Sequence, residues 1–202
     1  GLNGAVTVDA GAAVNIETSA NPADVFRFNT GGFSGGGPGT VITLNGAGRI
    51  GLVPACSYTG NWVLNSGGLQ LHNANSLGNT LNQITVNAGT IMGSLSTTAI
   101  PQPIVLNGGT IGSINGDFAY DGVISLAVPS TVTLTDTVSG NVARGVTLNG
   151  VISGTSPLSV IGWYRTKVLT LTNTGSTFSG GINIDSNGVL QVTADSNGTG
   201  AI

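Results

Sequence analysis

The tripeptide Leu-Asn-Gly begins at positions 2, 44, 106 and 148 of this 202-residue chain. Two relatives, Leu64-Asn-Ser-Gly67 and Val86-Asn-Ala-Gly89, fall between them. The separations along the series are 42, 20, 22, 20 and 42, each close to one or two multiples of about 21. A fixed spacing of this size marks a repeat architecture, in which each unit is one supersecondary element stacked on its neighbours. An array of hairpins needs no constant period, whereas a coil of constant circumference does. The unmarked positions near 23, 127, 169 and 190 also carry strand-like residues: Val25-Phe-Arg-Phe28, Leu126-Ala-Val128, Val168-Leu-Thr-Leu171 and Val189-Leu-Gln-Val192.

Within each unit the pattern is that of a strand. Ala5-Val-Thr-Val8, Val41-Ile-Thr-Leu44 and Thr131-Val-Thr-Leu-Thr135 alternate apolar residues with Thr over four or five positions. Asn-Gly occurs seven times, and both residues tolerate positive φ, so these dipeptides mark corners. Nowhere does a helical period replace the strand pattern. The predicted fold is all-β: one domain over 1–202, a right-handed parallel β-helix (β-solenoid) of about 21 residues per turn and nine turns. Nine turns at ~4.8 Å each give a rod on the order of 45 Å long. Inward Leu and Val pile into one core, and corner Asn residues one turn apart stack their amides into ladders. The hand follows from the general rule for parallel crossovers and from the resemblance given below.

Low charge follows from this geometry. The chain holds only 5 Lys+Arg and 8 Asp+Glu, because a charge in a tight coil meets its like one turn away. The net charge of -3 and the dispersed cations supply no basic stripe for nucleic acid. No apolar run reaches the ~18 residues of a membrane-spanning helix. No signal peptide is present and the chain begins with Gly1, which reads as a mature or excised segment. Cys56 stands alone, so there is no internal disulfide and no CxxC-type metal site.

Catalytic arrangements find few residues. His72 is the single histidine, read as a solvent-facing strand residue although Cys56 lies within one turn of it. Asp117 and Asp121 are the closest acids in sequence and read as solvated turn residues rather than a glycosidase pair. Gly31-Gly-Phe-Ser-Gly-Gly-Gly-Pro-Gly39 lacks the Lys-Ser/Thr ending of a phosphate loop and reads as a protruding flexible loop. The sequence therefore predicts no catalytic, cofactor or metal site. Its candidate contacts for a glycan or protein are the aromatic and basic residues Trp163, Tyr164 and Arg165, with Tyr58 and Trp62 one motif earlier.

Several short motifs recur in one order. Tyr58-Thr-Gly60 leads into Gly68-Leu-Gln-Leu71, Asn75-Ser-Leu-Gly78 and Ile84-Thr-Val-Asn-Ala-Gly-Thr-Ile91. Phe178-Ser-Gly-Gly181 leads into Gly188-Val-Leu-Gln-Val192, after Gly150-Val-Ile-Ser-Gly154 and Leu169-Thr-Leu-Thr-Asn173. These two copies, around 58–91 and 178–192, resemble the autotransporter-associated β-strand repeat. The likeness covers 50–202, while 1–49 match in period and composition only. The resemblance implies a secreted bacterial surface protein with a parallel β-helical passenger, in many members delivered by an outer-membrane barrel that this segment does not contain. The expected role is a non-catalytic stalk, adhesin or fibre-forming subunit that is extracellular and uses no cofactor. Its copies would stack end to end or continue in a longer repeat chain, with a surface glycan or protein as receptor. The alternative is a carbohydrate-binding or carbohydrate-cleaving β-helix.

Overall fold

The computed structural model describes residues 1–94, 99–135, 142–162, 165–185, 187–192 and 199. Every pairing between the strands is parallel, with one isolated antiparallel bridge between Thr135 and Ala143, and no helix occurs in the described residues. The chain winds as a β-solenoid of about seven turns, each of roughly 22 residues. At ~4.8 Å per turn the rod is about 34 Å long, shorter than the nine-turn expectation.

Three sheets line the coil. On the first, the strand Ala13–Glu17 is followed by Phe33–Asn45, Thr59–Leu64, Ile84–Val86, Ile104–Asn107, Ile124–Val128 and Ile152–Gly154; Val6–Val8 joins its start. The second runs from Val25–Phe28 through Arg49–Leu52, Gly68–Leu71, Thr90–Ser94, Thr110–Ile114, Ser130–Thr133 and Leu158–Ile161 to Ile182–Ile184. The third stacks Phe118–Tyr120, Val146–Leu148, Leu169–Leu171 and Leu190–Val192.

The period read from the sequence is a true register in the middle of the rod. Leu44, Leu64, Val86, Leu106 and Leu126 are successive partners on the first sheet. The outer marks belong elsewhere. Leu2 bridges Phe28 on the second sheet, and Leu148 pairs with Tyr120 and Leu171 on the third. The two wide gaps in the series are therefore not pairs of regular turns. Val14 to Ile42 is a single lengthened turn, and so is Ile124 to Ile152, which explains why fewer turns use the same chain. The two motif copies likewise part company: Gly68–Leu71 lies on the second sheet and Leu190–Val192 on the third.

Period-2 alternation points every second side chain inward, and the turns stack those side chains in columns. One column of the second sheet runs Ile50, Leu69, Ile91, Ile111, Val132 and Val160, all buried. Each such side chain contributes about 1.5–3 kcal/mol of burial. Toward the N-terminal end the core turns aromatic. Phe28, Phe33, Trp62 and Tyr58 follow one another with ring centroids 4.8, 5.3 and 5.5 Å apart. Most of the glycine-rich run is drawn into the longest strand, Phe33–Asn45, with a bulge between Gly36 and Val41 where its register against Thr59–Leu64 shifts. Gly36 there has φ 82° beside Thr59, and a Cβ at that position would overlap the Thr59 carbonyl. The glycines let this strand leave Val6–Val8 and join its next neighbour without side chains between the backbones.

Candidate interaction surfaces

The corner following the first sheet carries the predicted amide ladder. Asn107 Nδ2 donates to Asn87 Oδ1 at 2.8 Å, Asn87 to Asn65 at 2.7 Å, and Asn65 to Asn45 at 2.9 Å. The row ends on a carboxylate, with Asn45 Nδ2 donating to Glu17 Oε1 at 2.8 Å. A shorter row repeats the design at the third sheet, where Thr172 Oγ1 donates to Asn149 Oδ1 and Asn149 Nδ2 to Asp121 Oδ1. An Asn65→Ala substitution removes two of these bonds at one rung and is expected to cost about 1–2 kcal/mol. Urea denaturation of the variant checks this, and an unchanged midpoint would mean that water replaces the ladder without loss.

The residues singled out as contacts separate. Tyr58 and Trp62 are both 0 % exposed, so neither ring offers a face to a glycan or receptor. The Tyr58 hydroxyl donates to the Asn61 carbonyl, and burial pushes its pKa up to about 12. Trp62 Nε1 donates to the Leu77 carbonyl at 3.1 Å. Trp62 takes an inward position of the strand Thr59–Leu64, and Tyr58, just before that strand, packs its ring against the indole. Arg165 is exposed and has φ 54°. Trp163 and Tyr164 lie outside the described residues.

Asp117 and Asp121, neighbours in sequence, have different partners. Asp117 binds Lys167 Nζ at 2.7 Å and accepts the Gly145 amide, a staple spanning successive turns. Burial alone would raise its pKa, but the Lys167 hydrogen bond, the Gly145 amide and the charges of Lys167 and Arg144 hold it below the usual carboxylate range. Asp121 ends the shorter ladder.

Cys56 and His72 share no hydrogen bond among the described residues. The Cys56 sulfur accepts the Phe33 amide at 3.3 Å, and burial raises its pKa, which keeps it a thiol. His72 is half-buried rather than solvent-facing, and its Nε2 is enclosed without a partner, as is Gln70 Oε1. Burial, then the Arg27 charge, lowers its pKa from 6.5. The folded chain therefore takes up this proton less readily than the unfolded one. Stability is full above pH 6.5 and declines as pH falls from there toward the lower folded value. Melting curves between pH 7.5 and 5 are expected to shift down for the wild type, with a smaller slope for His72→Gln. Equal slopes would place the His72 charge in water.

The ends of the rod differ from its flanks. At the N-terminal end a cleft of about 450 Å³ opens between the first two sheets. Ile16, Val25, Phe26 and Ile50 line it, with Glu17, Asp24 and Arg49 at its rim. Among the described residues, Val25–Phe28 has one strand neighbour, Arg49–Leu52, and Ile182–Ile184 has one, Leu158–Ile161. Phe26 is 50 % exposed and Ile184 is 39 % exposed, and they are the two end members of the column that runs from Ile50 to Val160. Sequence reading places a strand at Val25–Phe28 but gives no sign that these side chains end a column, since that depends on which turn is outermost. Comparisons with protein-family models, with curated proteins and with solved structures find no match for this chain.

Proposed function

We propose that this chain is a non-catalytic structural protein of a bacterial surface, extracellular, serving as a stalk, adhesin or fibre-forming rod whose copies stack end to end. The observation that carries this reading is one continuous stack of parallel turns, whose buried columns and asparagine ladder run along the rod. A solenoid's turns are stabilised chiefly by their neighbours. The amide ladder and the Asp117–Lys167 staple tie turns together along the axis, as a rod that transmits force requires. The ordered motifs that resemble the autotransporter-associated β-strand repeat support the surface location. A right-handed coil accords with the rule for parallel crossovers.

Electron microscopy and sedimentation of the purified chain over a range of concentrations test the reading. Filaments with an axial repeat of about 34 Å, the length of seven stacked turns, are expected. Short rods that remain monomeric at every concentration would overturn it.

A further inference from the structure

The outer face of the first sheet is regular and almost free of charge. Its strands hold no charged residue but Glu17, which accepts the Asn45 amide, and their two aromatics, Phe33 and Trp62, are buried. Along the middle of this face Thr43, Val63, Thr85, Val105, Ser125 and Ser153 are successive partners, one per turn and each partly exposed. They point outward because their strand neighbours, from Ile42 and Leu44 to Ile124 and Leu126, fill the core. We infer that this face binds the surface of ice.

Spacing and charge both favour that partner. Groups in one row repeat at ~4.8 Å, and rows two residues apart lie ~6.7 Å from each other, which makes a two-dimensional grid. Both repeats are of the order of those on a prism face of ice. The asparagine row forms one edge of the grid. Asn45, Asn65, Asn87 and Asn107 hold one another, so their remaining N–H groups and lone pairs are fixed at the turn spacing before any contact. In the middle row the Thr43 and Thr85 hydroxyls make no hydrogen bond to the described residues, and the methyls of Val63 and Val105 alternate with them. Hydroxyls bind water directly and methyls order the water beside them, so the alternation holds a water layer in register with the turns. An ice face is a neutral lattice of donors and acceptors, and a neutral grid complements it, whereas a polyanion would find no counter-charge here. A second copy of the chain fits this face less well. Six turn spacings by two row spacings cover about 29 Å by 13 Å, roughly 380 Å², about half of the ~800 Å² per partner in a stable protein interface. The grid also lacks the exposed aromatic, Met and Arg anchors on which such interfaces depend.

A single ice crystal cooled slowly in a solution of the full chain reads the effect. Bound rods force the growing front to curve between them, which lowers the freezing point below the melting point. The wild type should open such a gap and facet the crystal. Thr85→Tyr, which raises a ring above the grid, and Val63→Lys, which puts a charge into it, should each lose the gap. Thr110→Tyr, outward on the second sheet between Thr90 and Thr131, should keep it. All three positions are partly exposed, so the variants are expected to retain the wild-type circular dichroism spectrum and melting temperature. A wild type without a gap, or folded Thr85→Tyr and Val63→Lys chains that keep it, would overturn the proposal. So would sedimentation in which these two variants break up a dimer while freezing is untouched, the mark of a face that covers a second copy. Ice binding does not depend on end-to-end stacking. Filaments that leave freezing unchanged would overturn ice binding alone, and a gap produced by rods that stay monomeric would overturn stacking alone.

Discussion

Trp62→Ala is expected to lower the stability of the chain by about 3–5 kcal/mol, the range for deleting a large buried aromatic. The indole is wholly enclosed, packed edge-on against Phe33 at 5.3 Å and against Tyr58 at 5.5 Å. It also sits in register between Ile42 and Ile84, so its loss opens a gap in a column rather than at a free surface. A second cost comes from the Leu77 carbonyl, which loses the indole donor and keeps only the Asn82 amide. Domain stabilities run at about 5–15 kcal/mol, so this one change removes a large part of the total. Equilibrium urea unfolding measures it. Trp62→Phe should recover most of the loss, since it restores ring volume and forgoes only the hydrogen bond. A loss below about 1 kcal/mol for the alanine variant would show that the site collapses around the vacancy.

Tyr120→Phe should cost about 1–3 kcal/mol although it removes a single oxygen, because a buried group stripped of its partner bears the full desolvation penalty. The hydroxyl is completely enclosed, donates to the Gly112 carbonyl at 2.7 Å and accepts the Gly93 amide at 3.1 Å. Tyr120 thereby joins the third sheet to two successive strands of the second. Gly93 has no side chain because the Phe118 ring occupies the place its Cβ would take. The substitution should also speed exchange of the Gly93 amide with deuterated solvent, which separates a lost hydrogen bond from general loosening. Unchanged exchange at Gly93 would mean that water reaches the amide in place of the phenol.

What the sequence reveals of this fold depends on how regular each turn is. From Leu44 to Leu126 the turns are nearly equal, and there the spacing of short motifs maps directly onto partners in the sheet. The ladder of Asn45, Asn65, Asn87 and Asn107 is legible for the same reason, since equal turns bring equal corners into line. Where a turn lengthens, as between Ile124 and Ile152, the same Leu-Asn-Gly at 148 lands on another sheet. Counting multiples of one period then yields too many turns. Composition misleads in two places. Glycine density at 31–39 reads as looseness, yet it permits close approach of neighbouring backbones within a strand. Aromatic residues near Gly and Asn read as contacts on a loop, yet Tyr58 and Trp62 fill the N-terminal part of the core. Burial depends on which neighbours stack above and below, and a single strand's pattern does not contain that.

The row of asparagines has a direction. Every amide from Asn107 to Asn45 donates toward the N-terminal end of the rod, so their dipoles add head to tail. The positive pole of that sum emerges where Glu17 sits, as an acid sits at the start of a helix. The exterior of this solenoid thus carries a side-chain macrodipole, with a built-in counter-charge at one pole. Its polarity distinguishes one end of the rod from the other even where the columns of Leu, Ile and Val look alike.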